Sequence, residues 1–515
     1  MDAEFEITRT HLAVAGLIRH GRELPDHVAL TGPGGRLTYG QLLARVKQVA
    51  ARLAALGVRR GDRVAYIAGN SVHFPIPVYA TWWLGATIVP VNFRLAAAEM
   101  AFILGDSAPC LVISDAEHRA TVTAALATLD VRHVGLEEFT APGSANPSAE
   151  KAPDPVLVTL EDDAAIMYTS GTTGRPKGTV LTHSNFHSVV TRVALSWRYA
   201  SGQEVVLIAT PMFHIAAFDF MLTNLAYAAT SVVMPSGGFD VAALLDTMAR
   251  HRVSKTFLVP AQWQAVVNEQ RRQPRQLNLQ FYAWGAAPGT QSLLTSLREI
   301  FPGAESQAAF GQTETSAIGV SLAHADSLRK LGAVGLADNN FSIRVVDPEM
   351  NDVATGEVGE IVYRGPGVMS RYWHNDAATV EAFRGGWFHS GDLVRLDDEG
   401  FIYVVDRLKD MIISGGENIY SAELENVIAW HPKVAAVAVV GRADPRWGEI
   451  PVALVIPKNP AEAPTLAEIR AFCEGKLAHY KMPKELILRD SFPLSGTGKV
   501  QKTILRSEIE RPPAS

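Results

Sequence analysis

Only two cysteines, Cys110 and Cys473, occur in 515 residues. Two thiols so far apart make no disulfide framework, so a reducing compartment, the cytoplasm, is expected. Charge of one sign is also scarce. The 47 basic and 53 acidic residues leave a net charge of −6. So small an imbalance exerts no global pull on nucleic acid or anionic membrane. Long hydrophobic runs are missing as well. The longest apolar stretch, near Val78 to Val91, is interrupted by Gly85 and Pro90 and is too short for a membrane span. The first residues are acidic where a signal peptide would be basic. Repeats of 20–50 residues and charged tails are absent too.

What remains is ordinary globular composition, 47% hydrophobic and 19% charged. At roughly 100–200 residues per domain, the length suits about two to four folding units. Apolar residues at Leu42, Leu43, Val46, Val49, Leu53 and Leu56 have helical spacing, and Gly57 ends the run. A short strand should follow at 62–68, a helix over 77–84 with Pro77 in its first turn, and strands over 87–91 and 111–114. Such alternation predicts α/β layers with largely parallel strands. The stretch 140–155, rich in Ala, Pro, Ser and Glu, reads as a surface loop. Alternation resumes at Ala164 and runs to about Gly332. Short alternating runs between Gly335 and Tyr403 predict an antiparallel β subdomain. Beyond Lys409, about a hundred residues read as helix, strand, strand, helix, strand, a small α+β domain.

The most informative segment is Met167-Tyr-Thr-Ser-Gly-Thr-Thr-Gly-Arg-Pro-Lys-Gly178. Its glycines permit tight turns and exposed N–H groups. Thr169, Ser170, Thr172 and Thr173 bring hydroxyl donors, and Arg175 and Lys177 bring charge. A polyphosphate is an array of anionic oxygens that needs this mixture. The glycine spacing, with Gly178 after Lys177, is not that of a Walker A loop.

This segment resembles the signature loop of the adenylate-forming superfamily, which includes acyl-CoA and aryl-CoA synthetases. Four more segments resemble its motifs in the same order: Phe310-Gly-Gln-Thr-Glu314, Trp387-Phe-His-Ser-Gly-Asp-Leu393, Tyr403 through Tyr420, and Gly498-Lys499. The resemblance covers nearly the whole chain. It implies a large N-terminal domain, 1–408, of layered α/β sheets plus a β subdomain. A small mobile α+β domain, 409–515, would carry the catalytic lysine. The implied activity is that of an AMP-forming acyl-CoA synthetase. It joins a carboxylic acid to ATP, releases pyrophosphate, and passes the acyl group to CoA. The alternatives are an acyl-AMP ligase or other adenylate-forming enzyme serving a carrier protein, a luciferase-like oxidase, and a catalytically silent nucleotide-binding protein. A free-standing enzyme is expected, since sixteen residues follow Lys499.

The resemblance also implies site residues, each with a chemical rationale. Two anions meet in adenylation, so positive charge must sit at the reacting centre, and Lys499 is the candidate. Glu314 would bind Mg²⁺, which takes one or two carboxylates plus phosphate oxygens. Thr313 would donate to a phosphate. Thr169, Ser170, Gly171, Thr172, Thr173, Gly174 and Lys177 would cradle the polyphosphate. Asp392 would accept from both ribose hydroxyls, with Arg407 beside it. Gly285, Ala286 and Ala287 would bed the purine, with Phe310 and Gly311 across from them. Phe310 stands where the family usually has Tyr. Lys409 would be the hinge. Gly415 and Gly416 would line the pantetheine tunnel, and Lys481 belongs to a segment common in CoA ligases.

His214, Phe218, Trp284 and Ala309 would line the acyl pocket, with Asp219, Trp263 and Ser316 as further positions. His214 also suits a core histidine. Trp284 would shorten the pocket if it points inward and says nothing if it points into the core. Asp219 suits either a substrate hydroxyl or ammonium, or solvent. Ser421 replaces a common Pro, and the family's frequent Arg before the catalytic lysine is missing. The partners expected are a small carboxylic acid, no nucleic acid and no membrane span, in a monomer or homodimer.

Overall fold

The computed structural model describes residues 3–10, 12–140, 153–169, 176–200, 202–415, 417–494 and 500–510. They form two compact units. The first takes the chain to Ile343 and again Tyr363–Phe388; the second takes Arg344–Val362 and the chain from His389 onward.

Among the described residues the first unit holds a nine-stranded and a seven-stranded sheet. In the nine-stranded sheet, Val28–Gly32, Thr230–Val233, Val205–Ile208, Lys255–Phe257, Phe281–Gly285 and Glu305–Phe310 run parallel. Gly35–Thr38 closes one edge and Val320–Ala323 with Leu336–Ala337 the other, all antiparallel. The second sheet is parallel through Arg63–Ile67, Thr87–Pro90, Leu111–Ser114 and Arg132–Gly135, and Asp163–Thr169 joins it in the same sense. Parallel strands are buried on both faces, which is why these segments read as apolar runs.

The helix expected over 42–56 is Tyr39–Ala55. Thr38 accepts from Gln41 N–H and Gln41 reaches back to Thr38 N–H, a capping box that fixes the start. Gly57, at φ +94°, ends it. Pro75, not Pro77, stands at the first position of the helix Pro75–Trp83. The loop expected at 140–155 lies mostly outside the described residues.

The second unit holds a four-stranded sheet of Ser342–Val346, Val358–Arg364, Phe388–Leu396 and Ile402–Arg407, the last two paired antiparallel. This is the expected β subdomain with one difference. The connection 365–387 leaves it, and Arg371–Tyr372 pairs with Lys177–Thr182 of the first unit. Helix Ser421–Ile428, strands Val434–Asp444 and Gly448–Pro457, helix Leu466–Cys473 and strand Glu485–Leu488 follow as expected. They close around a core including Ile412, Leu424, Val439, Val455 and Ile469. No helix among the described residues is long and apolar enough to cross a membrane.

Candidate active site

The polyphosphate segment joins two antiparallel strands, Asp163–Thr169 and Lys177–Thr182, and Thr169 lies opposite Lys177. Ser170, Gly171, Thr172, Thr173 and Gly174 lie outside the described residues, as do Gly416 and Lys499. The hairpin base delivers Thr169 and Lys177 to one end of the strand pair. Glu314 comes to the same place from the nine-stranded sheet. It sits in a single 3₁₀ turn, Thr313–Thr315, just past the strand Glu305–Phe310.

Glu314 is 6% exposed, and its Oε1 accepts from Thr169 Oγ1 and from Tyr372 OH, each at 3.2 Å. Lys177 Nζ lies 4.9 Å from the centroid of the Tyr372 ring. Burial and the charge on Glu314 push the Tyr372 phenol well above its usual range, so it acts as a donor. A lone buried carboxylate held by hydroxyls suits Mg²⁺, which completes its shell with water and phosphate oxygens. Among the described residues no cluster of three His, Cys, Asp or Glu offers an all-protein metal cage. Thr313 stands beside Glu314 on the turn and is half-buried.

Tyr372 carries no motif and escaped the sequence reading. Its role arises because Arg371–Tyr372 returns to pair with the hairpin strand. Only the aromatic run Tyr372-Trp373 hinted at it.

Gly311 follows the strand Glu305–Phe310, and a Cβ there would lie 2.6 Å from Ala317 O and 2.9 Å from Gly319 N. Only glycine permits that backbone approach. Gly285 ends the neighbouring strand opposite Ala309, and a Cβ on it would meet Ala309 O at 2.6 Å. Ala286 and Ala287 follow it and are exposed, and Ala286 adopts φ +64°. Phe310 and Ala309 are half-buried.

His214 caps the helix Ile215–Ala226, with Nδ1 accepting from Ala216 N–H at 3.4 Å. Phe218 is fully buried against Phe186 and Trp82. Trp284 shares a strand face with Tyr282, whose ring meets Trp263 and Phe301. A Cβ on Gly289 would touch both Trp284 Nε1 and Leu294. Trp284 thus lies on the aromatic core side of its strand, the orientation that carries no information about pocket length. Ser316, also weighed for the pocket, is buried and donates to Gly367 O at 2.8 Å.

In the second unit, Asp392 lies opposite Arg407 on paired strands, and Arg407 Nε is 2.9 Å from Asp392 Oδ1. Asp392 is almost fully buried. The hinge candidate Lys409 accepts at its carbonyl from Arg506 Nη1 at 3.1 Å. Gly415, at φ +63°, donates to Trp447 O, and a Cβ on it would meet that indole at 2.9 Å. Lys481 is paired with Glu423, its Nζ 2.7 Å from Oε2.

Ser421 is the first residue of its helix rather than its N-cap. The capping group is Asp406, on the strand before the hinge candidate. Its Oδ2 accepts from Ser421 Oγ at 2.9 Å and Ala422 N at 3.3 Å. Lys502 Nζ donates to Ser421 Oγ at 2.7 Å.

The paired strands and the Glu314 turn belong to the first unit, and the Asp392–Arg407 pair belongs to the second. The model of the AMP-binding enzyme family matches residues 17–373, and that of the AMP-binding enzyme C-terminal domain matches 423–499. The chain is 39% identical to a feruloyl-CoA synthase of Amycolatopsis sp, covering 96% of this chain and 97% of that one. It is 37% identical to a long-chain-fatty-acid–CoA ligase of Mycobacterium tuberculosis, covering 92% and 93%. The o-succinylbenzoate coenzyme A synthetase of Bacillus subtilis, solved in complex with ATP and magnesium ion, superposes with a TM-score of 0.83 at 30% identity. That match covers 96% of this chain and 99% of the other. The chain belongs to the AMP-binding enzyme family, the adenylate-forming enzymes. Within it the protein is an AMP-forming acyl-CoA synthetase, an acid–thiol ligase.

Proposed function

We propose that the acid this ligase activates is aromatic, and that the residues assembled above divide the work as follows. ATP lies with its phosphates against the segment between Thr169 and Lys177. Lys177 meets phosphate charge from its place over Tyr372. Glu314, oriented by Thr169 and Tyr372, would hold Mg²⁺, whose charge would offset that of the phosphates. Asp392 accepts from the ribose hydroxyls, and Arg407 fixes the carboxylate's position. The purine lies at Gly285, Ala286 and Ala287, with Phe310 and Gly311 across from it. Lys499 supplies charge where the acid's carboxylate meets the α-phosphate. No general base is required, because a carboxylate is already ionised at neutral pH. The part beyond Lys409 then turns, and the CoA thiol attacks the acyl-adenylate past Gly415. Acyl-CoA and AMP leave.

The observation that carries the nucleotide half is the Thr169–Glu314–Tyr372 cluster beside Lys177, where the polyphosphate segment begins and ends. The aromatic reading is supported by the rings around Ala309. Phe257 stands over Gly285, Phe220 lies 5.8 Å from Phe257, and Trp197 lies 4.7 Å from Phe220. Flat rings so arranged suit a flat acid.

AMP release measured across benzoates, phenylacetates, cinnamates and C2–C16 fatty acids, with and without CoA, tests both parts. The aromatic reading predicts cinnamate- or benzoate-type acids with the highest kcat/KM, and AMP release that requires CoA. A best substrate of C12 or longer would overturn it. CoA-independent loading of a carrier protein would favour the alternative acceptor.

A further inference from the structure

The roles above leave unused a buried charge cluster in the first unit. Asp219, on the helix Ile215–Ala226, is 2% exposed, and neither carboxylate oxygen has a hydrogen-bond partner. Arg192, on the packed neighbour helix His183–Ser196, is 6% exposed. Its Nε lies 2.8 Å from Asp338 Oδ2, yet none of its nitrogens makes a hydrogen bond. Asp338 is held at its other oxygen by Ser321 Oγ, at 2.6 Å. Burial raises the carboxyls of Asp219 and Asp338 and lowers the Arg192 guanidinium, and the opposite charges moderate each shift.

Strand register places this cluster beside the acyl face. Gly285 pairs with Ala309, and Ala309 pairs with Ser321. Paired residues share a sheet face, so the three form a row across neighbouring strands. On the same face Gln307 accepts from Trp197 Nε1, and Phe257 meets Phe220. That face therefore looks toward the helices carrying Arg192 and Asp219. The row has no side chain larger than that of serine. Its last member holds Asp338, and Phe220 adjoins Asp219 on the helix.

Leaving a buried polar group unmade costs about 1–3 kcal/mol, more for a charged one. A buried carboxylate and guanidinium that feel each other's charge, each without a hydrogen bond, are both served by a group that donates to one and accepts from the other. A hydroxyl does both. An alkyl end would leave both unmade, and a second carboxylate would meet Asp219 and Asp338.

We propose that Asp219 and Arg192 are specificity determinants that bind a hydroxyl group on the acid, at the end remote from its reacting carboxylate. Asp219 accepts the hydroxyl proton and Arg192 donates to its oxygen. The inference rests on the acyl-CoA synthetase reading and adds the polar group its acid carries.

The test is kcat/KM for acyl-CoA formation on matched pairs: 4-hydroxycinnamate against cinnamate, and 6-hydroxyhexanoate against hexanoate. In the parent enzyme the hydroxylated member of the better-used pair is favoured on the order of 10²-fold, the value of one hydrogen bond to charged groups. In Asp219→Ala that ratio falls to within about threefold of unity. If that variant does not fold, the near-isosteric Asp219→Asn takes its place and loses most of the ratio. A parent enzyme that turns over both members equally overturns the inference and leaves the ligase reading standing. So does a folded variant that keeps the parent's ratio. Failure of every acid to yield acyl-CoA would overturn the ligase reading and this inference with it.

Discussion

A carboxylate that holds a cation must be kept ionised while buried, and hydrogen bonds to the charged form achieve this. In the proposed site Glu314 would be that carboxylate, and its Oε1 accepts from Thr169 Oγ1 and Tyr372 OH. Tyr372→Phe removes one donor and leaves the ring under Lys177. The loss of about 1 kcal/mol should raise KM for MgATP about fivefold with kcat little changed. Glu314→Gln removes the charge itself and should lower adenylation on the order of 10²-fold or more. Magnesium titrations of ATP–pyrophosphate exchange in both variants check this. Equal effects of the two substitutions would contradict a supporting role for Tyr372. The motif that contains Glu314 was legible because it is contiguous in the sequence. Tyr372 was not, because its role depends on a strand pairing with a partner about 190 residues earlier. Trp284 and Asp219 show the same limit, since the direction of a side chain is decided by packing around it.

Among elements, helices with strong end signals were read nearly to the residue. Tyr39–Ala55 begins at a capping box and ends before Gly57, and both signals lie in the local sequence. The excursion of 365–387 was not legible, because a two-residue strand has no periodicity of its own. The cap of the helix Ser421–Ile428 was not legible, because Asp406 supplies it from another strand. Ser421→Ala should lower stability by about 1–2 kcal/mol, through lost bonds to Asp406 and Lys502. Ser421→Pro should cost about as much, since proline suits the first helical position yet lacks the hydroxyl. Thermal melting of both variants decides it, and an unchanged Tm in Ser421→Ala would contradict the bridging role.

The helix His183–Ser196 carries a second testable feature at its start. His183 is buried against Trp82, and burial lowers its pKa to about 4. Above about pH 6.5 the imidazole is neutral whether folded or not and contributes nothing. As pH falls from about 6.5 toward 4 only the unfolded chain takes the proton, so stability declines. The decline from this group is on the order of 3 kcal/mol. Melting curves of the parent and of His183→Gln between pH 7 and 4 should converge as pH falls. Parallel curves would contradict it.

For the whole molecule, family motifs in a fixed order across the chain announced the class, and the family match bears that out. The acid was not announced, because side-chain directions such as those of Trp284 and Asp219 are set by packing. The account requires two half-reactions served by one chain. Lys409→Pro locks φ near about −65° and should hold the chain in one conformation. Adenylation should persist in a well-folded variant while thioester formation falls steeply. Thioester formation at the parent rate would contradict a hinge at Lys409.

The central claim is that Lys499 supplies charge where two anions join and has no such task when a neutral thioester forms. Both half-reactions are therefore to be measured separately in Lys499→Ala: acyl-adenylate formation from acid and ATP, and acyl-CoA formation from supplied acyl-adenylate and CoA. The account predicts a loss on the order of 10²–10³-fold in the first and little change in the second. Equal losses in both, in a protein that melts like the parent, would contradict it.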